Sequence, residues 1–291
     1  MIPNNNLSVL PWYTSIEQQN ARKWWIYGRI YPLFTPAMFL LPWQLITPHS
    51  NMTVENIRPV FLYDARTGQQ VGGDLTDTLR PMIMKKEFAA FGYDVWVFAG
   101  QFPVFTQIEN GQYYLMLRLD RPYYSEIFTV VNDVEPYLKI EWYDTDDFVM
   151  DAGTIVYKNP TFKNVLYLDA SIAKPEYPFE EEGETRDGYF FPIKQISEKH
   201  YRFKFFASEY LLDVMRFIRM ADFATITYHG QTYSLDTFLI TPDWEDNGDV
   251  AAVEAEFDTA TVAKKIGRGY AAGATHGDFN NDFNNDFNNQ Q

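Results

Sequence analysis

The sequence predicts a mostly β protein: two consecutive β-sandwich or barrel-like domains with one main helix, an extended N-terminal arm and a low-complexity C-terminal tail. Three observations lead there. Aromatic residues make up 18% of the 291 residues, and such side chains favour strands and large contact surfaces. Short apolar runs recur with turn residues between them, the pattern of a sandwich or barrel. Only the stretch 209–222 carries a sustained helical periodicity over several turns.

The arm spans residues 1–56. Thr14-Ser15-Ile16-Glu17 fits a capping box with Thr14 as N-cap, and predicts a short helix from about Ser15 to Trp25. Two apolar runs follow, Tyr27 to Pro36 and Leu40 to Ile46. Pro32, Pro36 and Pro42 cannot share the interior of one helix, and the stretch Ile30 to Ile46 is too short to cross a bilayer. It reads as extended and buried. So many large apolar groups cannot all face water; they pack either on their own domain or on a neighbouring subunit.

The first β-domain is expected over 57–135. Val60-Phe61-Leu62-Tyr63 precedes the turn Asp64-Ala65-Arg66-Thr67-Gly68. Tyr93 to Phe98 alternates, Glu109-Asn110-Gly111-Gln112 turns into Tyr113 to Leu119, and Phe128 to Val131 closes the set. The second β-domain is expected over 136–266, with strands at Lys139 to Tyr143, Asn164 to Asp169, His200 to Phe206 and Val253 to Phe257. Its helix, about 209–222, has Ser208 as N-cap and sets Leu211, Leu212, Met215 and Ile218 on one face. Ala224 to Tyr228 and Thr232 to Leu235 form a hairpin across His229-Gly230-Gln231, which makes His229 a turn residue. Residues 267–291 begin Gly-rich and end in three Asp-Phe-Asn-Asn repeats from Asp278 to Asn289. Alone these repeats cannot build a core. They are either a disordered terminus or a docking peptide whose Phe279, Phe283 and Phe287 enter another subunit.

Composition removes several function classes. The chain has no cysteine, which excludes disulfides, iron–sulfur clusters and thiol nucleophiles, and only four histidines. Net charge is -15, whereas nucleic-acid binding needs a basic footprint; no nucleic-acid partner is expected. The N-terminus lacks the basic and apolar regions of a secretory signal, so synthesis in the cytoplasm and no membrane partner are expected.

No catalytic signature is found: neither a Gly-x-Ser-x-Gly elbow, nor His-Glu-x-x-His, nor a phosphate loop. Gly267-Arg268-Gly269-Tyr270-Ala271-Ala272-Gly273 lacks the spacing of a dinucleotide site. Asp144, Asp146 and Asp147 could offer oxygens to calcium, but the glycine and distal glutamate of an EF-hand loop are missing, and a solvated turn explains them. Glu180-Glu181-Glu182-Gly183-Glu184 reads as a solvated loop. Trp12, Trp24, Trp25, Trp43 and Trp96 could stack sugars, though their apolar surroundings suit a core or an interface. The expectation is therefore no enzyme, no cofactor and no metal.

One resemblance accompanies this. The block Leu10-Pro11-Trp12-Tyr13, Arg22-Lys23-Trp24-Trp25-Ile26-Tyr27-Gly28 and Tyr31 to Pro36 resembles the start of tail-associated structural proteins of Bacteroidetes phages, crAss-like phages included. Lys163 to Leu168, Pro175 to Gly183, Arg186 to Pro192, Leu239 to Trp244 and Val253 to Gly267 are similar to the same family. The resemblance covers most of the chain outside the repeats. It implies a component of a virion tail, made in the bacterial host cytoplasm, whose partners are copies of itself in a ring, other virion tail proteins and, for a tail-tip subunit, a host surface receptor or glycan. The interface residues expected are Trp12, Tyr13, Trp24, Trp25, Trp43, Phe279, Phe283 and Phe287. An arm of this kind should be removable: without residues 1–50 the rest should fold and fail to assemble.

Overall fold

Alternation of inward apolar and outward polar side chains sets most of the strands, as the sequence Val250 to Thr259 illustrates: Ala251, Val253, Ala255, Phe257 and Thr259 are buried while Ala252 is exposed and Glu254, Glu256 and Asp258 are partly so. The computed structural model describes residues 8–20, 33–34, 42–98, 108–145, 148–149, 155–156, 163–244, 250–259 and 263–266. In chain order the elements are β1 (Trp12–Tyr13), α1 (Ile16–Asn20), β2 (Leu33–Phe34), β3 (Trp43–Pro48), β4 (Val60–Asp64), β5 (Gln70–Val71), α2 (Thr76–Leu79), β6 (Ile83–Phe88), β7 (Tyr93–Phe98), β8 (Gly111–Arg118), β9 (Pro122–Ser125) and β10 (Phe128–Val130). They continue with β11 (Leu138–Tyr143), β12 (Phe148–Val149), β13 (Ile155–Val156), β14 (Asn164–Leu168), β15 (Phe179–Arg186), β16 (Tyr189–Ser197), β17 (His200–Ser208), α3 (Glu209–Met215), β18 (Phe223–Tyr228), β19 (Gln231–Trp244), β20 (Val250–Thr259) and β21 (Ala263–Ile266). The protein is mostly β, with nearly all pairs antiparallel.

The chain divides into two compact units, Met1–Pro175 with His200–Ala260, and Glu176–Lys199 with Thr261–Gln291. In the first unit β8 is the central strand of one sheet. β4 lies along one side of β8, and β9 and β10 share the other. The break between those two is bridged by Ser125, whose Oγ accepts the Leu115 N–H at 2.9 Å. A three-stranded sheet runs β3-β7-β6, and a six-stranded sheet runs β14-β11-β18-β19-β20-β17. β19 is long enough to pair with β18 through its first residues and with β20 through the remainder, across a register shift between Leu235 and Thr237.

In the first unit one set of strands runs over 12–130 and another over 138–168 and 200–259. The expected boundary at 135/136 does not separate two cores. One apolar cluster joins Val9, Trp12, Trp43, Phe98 and Phe128 to Leu138, Trp142, Phe203, Met215 and Phe257. The helix expected over 209–222 ends at Met215; beyond it Phe217 bonds Val214 and Met220 bonds Phe217 with i→i+3 geometry, and the chain tightens into a 3₁₀ turn at Ile218–Met220. Ile218 nevertheless stays buried. At the N-terminus Ser15, not Thr14, meets the third helical N–H, accepting from Gln18 at 3.3 Å.

The second unit holds the sheet β15-β16-β21. Here the run Glu180 to Glu184 is a strand, not a loop. β15 and β16 are joined by Asp187-Gly188, both at positive φ (50° and 81°), the two-residue hairpin turn that matches strand twist. Glutamates are tolerated in β15 because its described side chains lie at the surface.

The arm's described part belongs to the first unit's core. β3 pairs with β7 along its whole length, and Trp43 is fully buried. Deleting residues 1–50 should therefore abolish the cooperative urea transition of the protein; a truncated chain with native circular dichroism and a two-state transition would contradict this. Trp43→Ala alone should cost about 3–5 kcal/mol of stability, read as a lower denaturation midpoint.

Candidate interaction surface

Of the side chains expected at an interface, the structure brings two together inside the chain. Trp12 and Trp43 meet edge to face at 4.9 Å, and Trp43 stacks on Phe98 at 5.6 Å. With 5% and 0% exposure neither ring can offer a partner much surface, so the expectation for these two is corrected: the apolar residues of the arm are satisfied by their own domain. Tyr13 is likewise engaged internally. Its hydroxyl donates to Glu126 Oε2 at 2.6 Å, and the Ile127 N–H donates to Glu126 Oε1 at 2.9 Å. A fully buried carboxylate requires such donors. Trp24, Trp25, Phe279, Phe283 and Phe287 lie outside the described residues.

The aspartates weighed for calcium are divided too. Asp146 and Asp147 lie outside the described residues. Asp144 Oδ1 accepts the Asp222 N–H at 3.2 Å, and Asp222 accepts from the Thr145 N–H and hydroxyl, so these groups lock two turns. Among the described residues no three His, Asp or Glu side chains converge as a metal site. His229 sits at the β18–β19 tip with φ 46°, followed by Gly230 at 74°, and occupies the turn role expected of it.

Sequence patterns gave no notice of a buried charge cluster on β3-β7-β6. Asp94, fully buried on β7, accepts from His49 Nδ1 at 2.8 Å, from the Ser50 N–H at 2.9 Å and from Lys85 Nζ at 3.1 Å. Lys85 also donates to the Ser50 carbonyl and to Glu87, each at 2.8 Å, and lies 5.5 Å from the Trp96 ring centroid. The strand register makes this set: Lys85 is opposite Trp96, and Glu87 is opposite Asp94. The cluster ties the loop after β3 to β6 and β7. A second set forms a ladder on β17 and β20, where His200, Arg202 and Lys204 face Asp258, Glu256 and Glu254 at 2.9, 2.9 and 3.1 Å. Exposed cross-strand pairs of this kind contribute about 0.2–1 kcal/mol each.

The surface with the strongest claim to a partner is the β15–β16 hairpin. Exposed large apolar side chains cluster in this unit: Tyr177, Phe179, Tyr189, Phe190 and Ile193. Of its side chains described, Ile196 alone is buried. A bulge shapes the sheet: between Glu182 and Gly183 the register advances one residue on β15 and two on β16. Pro192, which has no N–H to place in the ladder, flanks it. β15 itself alternates without interruption. Phe179, Glu181, Gly183 and Thr185 share one face, and Glu180, Glu182 and Glu184 share the other. On the first face the Phe190 ring lies over Gly183. A Cβ there would come within 2.3 Å of the Phe191 carbonyl oxygen and 2.7 Å of the ring.

Comparison with family models and with curated proteins finds no match to this chain.

Two outcomes are expected. Burial pushes the Asp94 carboxyl up, but the hydrogen bonds from His49, Ser50 and Lys85 and the Lys85 charge outweigh it and hold the group below its ordinary 3.8. A carboxyl lowered by folding stabilises above its ordinary value, and that contribution is lost as pH falls through the lowered one. Asp94→Asn removes one of the two carboxylates that hold the Lys85 ammonium and should cost about 1.5–3 kcal/mol at neutral pH. The deficit should shrink only in acid, below the ordinary carboxylate value; a deficit constant down to the acid limit would contradict the assignment. Separately, Gly183→Ala should destabilise the hairpin by about 1–3 kcal/mol, seen as faster amide exchange confined to β15 and β16.

Proposed function

We propose that the chain is a structural component of a bacteriophage virion tail, a hub, baseplate or ring subunit that assembles through protein–protein contacts and performs no catalysis. The observation that carries the proposal is the second unit. A three-stranded sheet needs an apolar face packed against something to be stable, and this one keeps Phe179, Tyr189 and Phe190 at 60%, 73% and 50% exposure. Apolar groups gathered in that way mark interaction sites in folded proteins. The sequence blocks resembling phage tail proteins supply the identity of the assembly, and ring symmetry is the usual way identical subunits close such contacts. A second function, binding of a host receptor or glycan at the tail tip, is favoured by one feature: the exposed Phe179 and Phe190 rings share a face of the hairpin with Glu181 and the Gln195 amide, the mixture a sugar face and its hydroxyls require.

Quantitative mass spectrometry of purified virions tests the proposal. The chain should be present at a fixed copy number relative to the major tail protein. Its absence from particles, with the chain detected only in the cell lysate, would overturn it.

A further inference from the structure

The outer edge of β15 has the features of a strand-binding site. Its sheet order is β15-β16-β21, so β15 pairs on one side with β16 and, among the described residues, with no strand on the other. An edge of this length presents a row of backbone donors and acceptors, a template for an added strand. Its two faces differ in chemistry. One carries Phe179, Glu181 engaged by the Gln195 amide and, across the pair, Phe190 over Gly183. The other carries Glu180 and Glu182, neither of which makes an ion pair or hydrogen bond with any described residue.

A second copy of the same edge is a poor occupant. Two antiparallel β15 strands would bring glutamates of one against glutamates of the other, and like charges placed opposite each other are destabilising. The acidic C-terminal repeats have the same sign, with Asp278, Asp282 and Asp286.

We infer that β15 captures an extended segment of a different protein, one that alternates Lys or Arg with apolar residues. Its cations lie along Glu180 and Glu182, its apolar side chains lie along Phe179 and Phe190, and its backbone extends the sheet beyond β15. The inference rests on the proposed assembly role and gives that role a partner chemistry. Loss of the chain from virions would sink the assembly role without touching strand capture, and the converse also holds.

The test uses the full-length protein and two short capped peptides, one alternating Lys and Val and one alternating Glu and Val. The Lys peptide should bind, slow amide exchange along β15, and weaken as salt is raised; the Glu peptide should not bind. The double substitution Glu180→Lys, Glu182→Lys should reverse the preference, with about a tenfold or greater change in the affinity ratio. The gain of binding to the Glu peptide cannot come from unfolding. Three results would overturn the inference: no β15 protection by the Lys peptide, equal peptide preference in the double variant, or self-association of the wild type that protects β15 without any peptide.

Discussion

Strands of the first unit such as β17 and β20 have an apolar face because their side chains alternate, and such a face is driven out of water. That constraint governs the rest. Strands of 12–130 and strands of 138–168 and 200–259 bury inward residues in one cluster, from Val9 and Trp43 to Met215 and Phe257. The short elements follow from it: β1 is held by β9, and α3 lies directly after β17 with five of its residues buried. A sequence this rich in rings can fill a large core with few residues, since each aromatic side chain buries roughly 150–250 Å².

Several polar groups enter that core with their partners attached. Asp94 is met by a histidine, a backbone N–H and a lysine; Glu126 is met by Tyr13 and the Ile127 N–H; the Trp96 indole donates to Thr47 at 2.9 Å. The His49–Asp94, Tyr13–Glu126 and Thr47–Trp96 bonds join residues 45, 113 and 49 positions apart, so each ties a loop or arm to the strands beneath. The Tyr13–Glu126 bond and the Glu126 N–H to Pro11 carbonyl bond, at 2.7 Å, together fasten the N-terminal segment beside β9.

The strands were largely legible because period-two patterns are local: Tyr93 to Phe98 and His200 to Phe206 could be read directly, and His229-Gly230 announced its hairpin. What depended on distant partners was not legible. Trp43 looks the same in sequence whether its ring meets Trp12 or another subunit, and only the β3–β7 pairing decides. Asp94 sits among apolar residues with nothing nearby to show that His49 and Lys85 converge on it. The β15–β16 hairpin was obscured differently. Its Asp187-Gly188 turn is a strong local signal, but the glutamates on one side suggested a solvated loop, although an exposed strand admits charge on both faces. Apolar density is ambiguous in the same way: at Trp12 and Trp43 it is the mark of a core, whereas the exposed rings of the hairpin lie in a segment whose charge hides them.

β19 belongs to two neighbours in succession, β18 through its first residues and β20 from Leu235 to Trp244. Hydrogen bonds between antiparallel strands run perpendicular to the chain. A pull along the axis of β19 therefore acts in shear on the whole β19–β20 ladder at once, while a pull at right angles would peel the same bonds one after another. Because β20 is also fastened to β17 from His200 to Ser208, tension entering at Trp244 is shared among three strands. The sheet is in this sense anisotropic: stiff along its strands, and open to peeling across them.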